Sequence, residues 1–247
     1  MNFNSKIIDG DNYNLNLLVK SKKIKKIFLI SGEKSFTKSG AKNYFQSILK
    51  NKNVSYFFKK NKYVEIYELI KLIGLIKNLK PDLIIAVGGG SVLDYAKLAN
   101  ILESEDLVNK IKKNKLLRFK KKAKLLAIPT TAGSGSEVTS SGVVYIGKIK
   151  YSIEDTKMVP DYFFLFPKLV INANSKIRSA SALDGISQAI ESIISLKSNK
   201  ESVRYSLMSL DIFAKNLNNY FEKNNDKNTL QMCIASNLAG KAINISR

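Results

Sequence analysis

The chain has 247 residues, 45% hydrophobic and 25% charged, with 41 Lys plus Arg against 20 Asp plus Glu and a formal net charge of +21. That balance is globular and argues against disorder. Cys233 is the single cysteine and histidine is absent, so an intrachain disulfide framework, a Cys-based zinc site, Ser-His-Asp or Cys-His catalysis and His-ligated metals are excluded within these residues.

No apolar run reaches the roughly 18 residues of a membrane-spanning helix. The opening MNFNSKIIDGDNYN lacks the basic flank and apolar stretch of a signal peptide. A soluble, cytoplasmic protein with no membrane partner is expected. The charge is carried by scattered lysines, with only Arg118, Arg178, Arg204 and Arg247 to make bidentate phosphate or base contacts. No specific nucleic-acid partner is expected, although weak attraction to polyanions at low salt follows from the charge.

In chain order, Ile24 to Ile30 is a short apolar, β-rich run ending at the turn signal Ser31-Gly32. Ala41 to Leu49 reads as a helix and Val54 to Phe58 as a strand. Ile66, Leu69, Ile70, Ile73 and Ile76 recur at helical spacing, so a helix is predicted over Val64 to Leu79, stopped by Pro81. Leu83 to Val87 is a fully apolar strand, followed by a glycine-rich bend and a helix over Val92 to Leu102. Leu125 to Ile128 is another strand, ended by Pro129. Gly142 to Ser152 alternates as a hairpin does, and Leu169 to Ile171 reads as a further strand. Helices follow over Ala180 to Leu196, Ser202 to Phe221 and Thr229 to Ile245. Apolar strands alternating with helices imply a parallel sheet covered on both faces, with ligands bound beyond the carboxyl ends of the strands.

Three segments carry candidate chemistry. Gly88-Gly89-Gly90-Ser91 with Asp94 is a strand-to-helix bend; glycines admit close approach of a phosphate, and a helix start offers free amides. Ser91 would cap that helix or donate to a phosphate oxygen. The same glycines can serve sterics alone, and no P-loop lysine follows. Pro129 to Thr139 is dense in hydroxyls, suited to a ribose, a pyrophosphate or an amide; it departs from the dinucleotide fingerprint because Val138 stands at the third glycine position. The plain alternative is a polar loop satisfying its own backbone. Asp184, Gln188 and Glu191 share one helical face, with Ile186, Ile190, Ile193 and Ile194 as the apolar side. Such a face either ligates a divalent cation through oxygen or is simply solvated.

Together and in order, Val87–Lys97 (VGGGSVLDYAK), Ala127–Thr139 (AIPTTAGSGSEVT), Lys157–Val170 (KMVPDYFFLFPKLV) and Ser181–Ser192 (SALDGISQAIES) resemble the iron-containing (group III) alcohol dehydrogenases. The resemblance implies an α/β fold class: a Rossmann-like, parallel-sheet nucleotide-binding domain over residues 1–175, then an incomplete all-helical, dehydroquinate-synthase-like domain over 176–247. It implies that Gly89, Gly90 and Ser91, in the bend opened by Gly88, hold the cofactor pyrophosphate. It further implies that Asp94 anchors that turn and that Thr130, Thr131, Ser134 and Thr139 line the adenosine and nicotinamide path. Asp184 matches the metal-ligating aspartate, and Gln188 stands where many members have a histidine. Phe166 departs from the aspartate usual before that proline.

The implied cofactors are NAD(P) and a divalent metal, Fe or Zn, in the full-length protein. Gly32, with Lys34 and Ser35 near, suits a 2′-phosphate and leans the choice to NADPH, while Glu33 argues the other way. The implied reaction is hydride transfer with a small aldehyde or alcohol. Lys150–Tyr162, the Asp-x-x-x-Gln arrangement and the ending GKAINIS resemble the phosphonoacetaldehyde reductase subgroup. Members of the family are longer and carry further ligating histidines, so a C-terminally truncated, inactive chain is expected, and a homodimer when full length. The competing readings are a dehydroquinate-synthase-like or glycerol-type dehydrogenase, and a noncatalytic nucleotide- or nucleic-acid-binding protein.

Overall fold

The apolar runs become strands β2 (Lys26–Gly32), β3 (Asn53–Lys59), β4 (Leu83–Gly88) and β5 (Lys124–Pro129), joined by β1 (Lys6–Ile8) and β8 (Tyr162–Phe164). The computed structural model describes residues 6–8, 12–115, 117–223 and 225–247; residues 1–5 and 9–11 of the opening stretch lie outside them. Among the described residues the sheet runs β1-β8-β5-β4-β2-β3, every pairing parallel.

The continuous apolar character of the strands follows from burial on both faces. Ile84 and Ala86 of β4, Phe28 and Ile30 of β2, and Leu125 and Ala127 of β5 enter one core; their alternates Leu83, Ile85, Val87, Ile27, Leu29, Leu126 and Ile128 enter the other. This is the period-two alternation of a pleated strand. Helices α4 (Ile66–Leu79) and α5 (Gly90–Ile101) supply Leu69, Ile73, Leu93 and Leu98 to the first core. Helices α1 (Asn12–Lys20), α2 (Glu33–Lys38) and α3 (Ala41–Ile48) supply Leu15, Phe36 and Phe45 to the second. The helix α6 (Leu107–Lys112) and the antiparallel hairpin of β6 (Ser141–Ile146) and β7 (Ile149–Glu154) complete the α/β part.

Several boundaries differ from the sequence reading. The first long strand starts at Lys26, two residues later than read, because Ile24 belongs to the turn bonded back to Ser21 (Ile24 N to Ser21 O, 3.1 Å). Helix α4 starts at Ile66 because Glu65 caps it, its carboxylate accepting from Glu68 N at 2.9 Å, while Val64 O takes Tyr145 N of β6 at 2.7 Å. Lys80, in the left-handed conformation, ends that helix ahead of Pro81. The strand expected at Leu169–Ile171 is not formed: Pro167–Val170 is a short helix, α7, and the strand lies upstream as β8. Pro167 occupies the first helical turn, where a missing N–H removes nothing.

From Ser175 onward the chain is helical, in α8 (Ser175–Ile194), α9 (Lys200–Glu222) and α10 (Asp226–Ile245). Asn174, Asn199 and Asn225 cap them, each side chain accepting from amides of the first turn. The apolar side expected on α8 holds only in part: Ile186 packs against the helical core and Ile193 is half-buried. Ile190 and Ile194 are 46% and 75% exposed, and the buried stripe is Ala182, Gly185, Ala189 and Ser192. Close packing selects the small residues: a Cβ on Gly185 would stand 2.7 Å from Phe213 of α9.

Candidate functional site

The strand connections place the site. From β2 the chain moves to β3 on one side; from β4 it moves to β5 on the other. The crevice therefore opens beyond the carboxyl ends of β2 and β4, at the point where the winding reverses, the usual ligand position in such sheets. A cleft of about 430 Å³ lies there, lined by Lys34, Ser35 and Lys38 after β2, Lys59 ending β3, Gly89 and Ser91 after β4, and Thr130 and Thr131 after β5; Asn172, Asn174 and Ile177 close its outer side. Cavities of about 420 and 530 Å³ elsewhere contain none of the predicted residues.

The two predicted bends meet. Gly88 and Pro129 are paired in the sheet, and Thr130 N donates to Gly88 O at 3.0 Å. A Cβ on Gly89 would lie 3.4 Å from Thr131 Oγ1, and one on Gly90 would lie 2.9 Å from Ser134 Oγ. Below them, Gly88 packs on Val92, where a Cβ would approach to 2.5 Å. Gly89 is the cap residue of α5, extended at φ −72° and ψ 179°, with no side chain bonded to the helix start. Ser91 is therefore inside the first turn rather than capping it. The bare helix start beside the Thr130-Thr131 hydroxyls suits an anion. Gly32 ends β2, and its carbonyl accepts from Ser35 Oγ at 3.0 Å.

Two predicted cofactor residues are hydrogen-bonded within the protein. Asp94 does not anchor its own bend; it grips the next loop, Oδ1 accepting from Ser136 Oγ at 2.6 Å and Oδ2 from Val143 N at 3.1 Å. Thr139 is 6% exposed and its hydroxyl is taken by Lys97 Nζ at 2.9 Å. Lys97 itself is wholly buried, and burial pushes its ammonium below the ordinary lysine range, against the pull of Asp94.

The threonine loop is also fastened to α10. Gly135, at φ +58°, touches Gly240 backbone to backbone. Asn237 Nδ2 donates to the buried Glu137 carboxylate at 2.9 Å, and Asn244 Oδ1 accepts from Ser140 N and Ser140 Oγ at 2.7 and 2.9 Å. Arg247 reaches Ser141 Oγ. Burial holds the Glu137 carboxyl above the usual carboxylate range, partly offset by the Asn237 bond. Positions 237, 240 and 244 recur every three or four residues, so one face of α10 holds the loop, and Arg247, just past the helix end, adds its bond to Ser141. The sequence reading missed Lys97, Asn237 and Asn244, and also Lys38 and Lys59 of the cleft. Lys59 was within reach of sequence reasoning, since it directly follows the strand expected over Val54 to Phe58 and ends the observed β3.

Asp184 is exposed and Gln188 half-buried on α8, and among the described residues no group of three or more His, Cys, Asp or Glu gathers. One carboxylate and one amide fall short of the three or four strong ligands that zinc or iron takes. The side chains present do not make a complete metal site.

A six-stranded parallel sheet with a phosphate-type bend at its switch point, leading into a helical unit, defines a Rossmann-like nucleotide-binding architecture followed by an all-helical region. The family model for iron-containing alcohol dehydrogenase matches residues 4–167. The chain belongs to the iron-containing alcohol dehydrogenase family. It is 30% identical over 178 residues to long-chain-alcohol dehydrogenase 1 of Geobacillus thermodenitrificans (strain NG80-2), covering 70% of this chain and 45% of that protein. It is 33% identical over 134 residues to an alcohol dehydrogenase of Thermococcus barophilus, covering 51% and 35%. The chain thus spans less than half the length of these relatives. Two solved structures share the fold. The iron-containing alcohol dehydrogenase of Thermococcus thioreducens has a TM-score of 0.87 at 22% identity, over 99% of this chain and 67% of that one. The sulfoacetaldehyde reductase of Bifidobacterium kashiwanohense, in complex with NAD+, has a TM-score of 0.88 at 24% identity, over 99% and 66%.

Proposed function

We propose that residues 1–175 bind NAD(P) and serve an alcohol dehydrogenase or aldehyde reductase activity, with residues 176–247 opening the helical domain. The single observation that carries this reading is the meeting of the Gly88–Ser91 bend and the Thr130–Ser134 bend at the switch point of the sheet. When bound, the nicotinamide supplies or accepts the hydride exchanged with a small aldehyde or alcohol. The chain's part is to bind and orient. The start of α5 and Ser91 hold the pyrophosphate, Gly89 and Gly90 allow it to approach the backbone, and Thr130, Thr131 and Ser134 line its path.

Lys34, Lys38 and Lys59, with Ser35, place three cations on the β2–β3 side of the cleft, which suits the 2′-phosphate of NADPH over the bare ribose of NADH. For the substrate, the Lys150–Tyr162 segment and the Asp184-x-x-x-Gln188 arrangement favour phosphonoacetaldehyde as the first aldehyde to try. Asp184 and Gln188 do not by themselves support a metal, so no step is assigned to one.

Titration of reduced-nicotinamide fluorescence tests the reading. The wild-type chain should bind NADPH more tightly than NADH. The triple substitution K34E/K38E/K59E should weaken NADPH by about tenfold or more while leaving NADH within about threefold. No binding of either nucleotide refutes the cradle; equal losses for both refute the 2′-phosphate assignment.

A further inference from the structure

Lys97 is a lysine with no exposed surface. An ammonium is among the groups least often buried, and it persists only where its donors are met. Here they are met by one loop. Its Nζ lies 3.0 Å from Ser136 O, 3.3 Å from Thr139 O, 2.9 Å from Thr139 Oγ1 and 2.5 Å from Ser141 O, with Asp94 Oδ1 at 3.4 Å. Three carbonyls, a hydroxyl and a carboxylate surround the amine, so the loop winds around it as it would around a bound cation.

The placement is as telling as the contacts. Lys97 projects from α5, the helix whose first turn forms the glycine bend, and it grips the loop that continues from the threonine bend. Asp94, one turn earlier on the same helix, takes Ser136 Oγ and Val143 N. Helix α5 therefore controls both walls of the cleft, one with its start and the other with two side chains. An apolar residue of the same length would fill the space but leave the three carbonyls without this donor.

We propose that Lys97 is a positioning residue for the cofactor: by holding residues 136–141 against α5 it sets the distance between the glycine and threonine bends, and so the contacts made to the nicotinamide side of the dinucleotide. This rests on the reading of the two bends as a dinucleotide cradle. Lys97 touches no cofactor itself. Its influence falls on the threonine wall and spares the Lys34–Lys38 side of the cleft.

The experiment compares wild type with Lys97→Met by titration with NADPH, followed by nicotinamide fluorescence, and with 2′,5′-ADP, followed calorimetrically. The second probe carries the adenosine and 2′-phosphate but lacks the nicotinamide half. In K97M the NADPH Kd should rise by about tenfold or more and the fluorescence enhancement of the bound ring should fall, while the 2′,5′-ADP Kd stays within about twofold. A general loss of structure would move both. Should K97M melt below the titration temperature, Lys97→Gln, whose shorter, neutral amide keeps two N–H donors, gives the same contrast. Unchanged NADPH affinity, or equal weakening of both probes, overturns the proposal while leaving the cradle standing. Failure of wild type to bind NADPH overturns the cradle and the proposal with it.

Discussion

Replacing Gly135 by alanine tests whether α10 holds the threonine loop. Gly135 sits at φ +58°, and an added Cβ would lie 2.5 Å from Gly240 Cα, 2.9 Å from Ser236 O and 3.0 Å from Gly240 N. All three are backbone atoms, so no side chain can swing aside. Ordinary contact begins at 3.4 Å, which requires the loop and α10 to part by about 1 Å. The left-handed backbone costs about 1–2 kcal/mol for a residue with a Cβ. Overpacking adds about 1–3 kcal/mol. The sum, about 2–5 kcal/mol, is a large share of the roughly 5–15 kcal/mol that holds a typical domain folded.

The separation also strains the Asn237–Glu137 and Asn244–Ser140 bonds, which lie on either side of Gly240 on α10. Urea unfolding followed by circular dichroism reads the total. Gly147→Ala is the internal control, because Gly147 has φ +62° with nothing within 4 Å of its Cβ position, so it carries the backbone part alone. G135A should lose more stability than G147A by about 1–3 kcal/mol and should also weaken NADPH binding, which G147A should not. Equal losses from the two substitutions refute the argument that contact with α10 sets the loop.

Two further outcomes are expected. Gly74 lies inside α4 with open space at its Cβ position, so Gly74→Ala should stabilise the chain by about 0.5–1 kcal/mol in the same urea assay; a loss would mean that the face carries a contact not visible in its surroundings. Lys122 donates to Ala99 O and Leu102 O, and burial lowers its ammonium to about 8 from 10.5. Between those two values the folded chain binds fewer protons than the unfolded one at this residue, so its contribution to stability rises with pH, by about 1.4 kcal/mol per unit at most. Unfolding measured from pH 7.5 to 10.5 should show this upward term in wild type and lack it in Lys122→Met; parallel curves would refute the shift.

Much of this protein was legible in the linear chain because the signals are local. Strands buried on both faces must be apolar throughout, so β2, β4 and β5 stood out as runs. Glycine and threonine clusters at their ends marked the two bends, since only such residues turn a strand sharply into a helix or present hydroxyls there. Four ordered segments were enough to identify the family. What the linear chain could not give was the direction of side chains in segments without a period. Asp94 and Thr139 matched cofactor positions, yet the fold turns both toward the loop's own scaffold, Asp94 accepting from Ser136 Oγ and Val143 N and Thr139 from the buried Lys97 amine.

The buried face of α8 was equally out of reach. Helical spacing offers several faces, and the neighbour chooses one: close approach to Phe213 selected the stripe through Ala182 and Gly185 and left Ile190 and Ile194 outward. Likewise Lys34 and Lys38, both on α2, meet Lys59 only because β2 and β3 lie side by side in parallel. Local chemistry is written residue by residue, whereas which groups share a cleft or lose their water depends on distances between elements far apart in the chain.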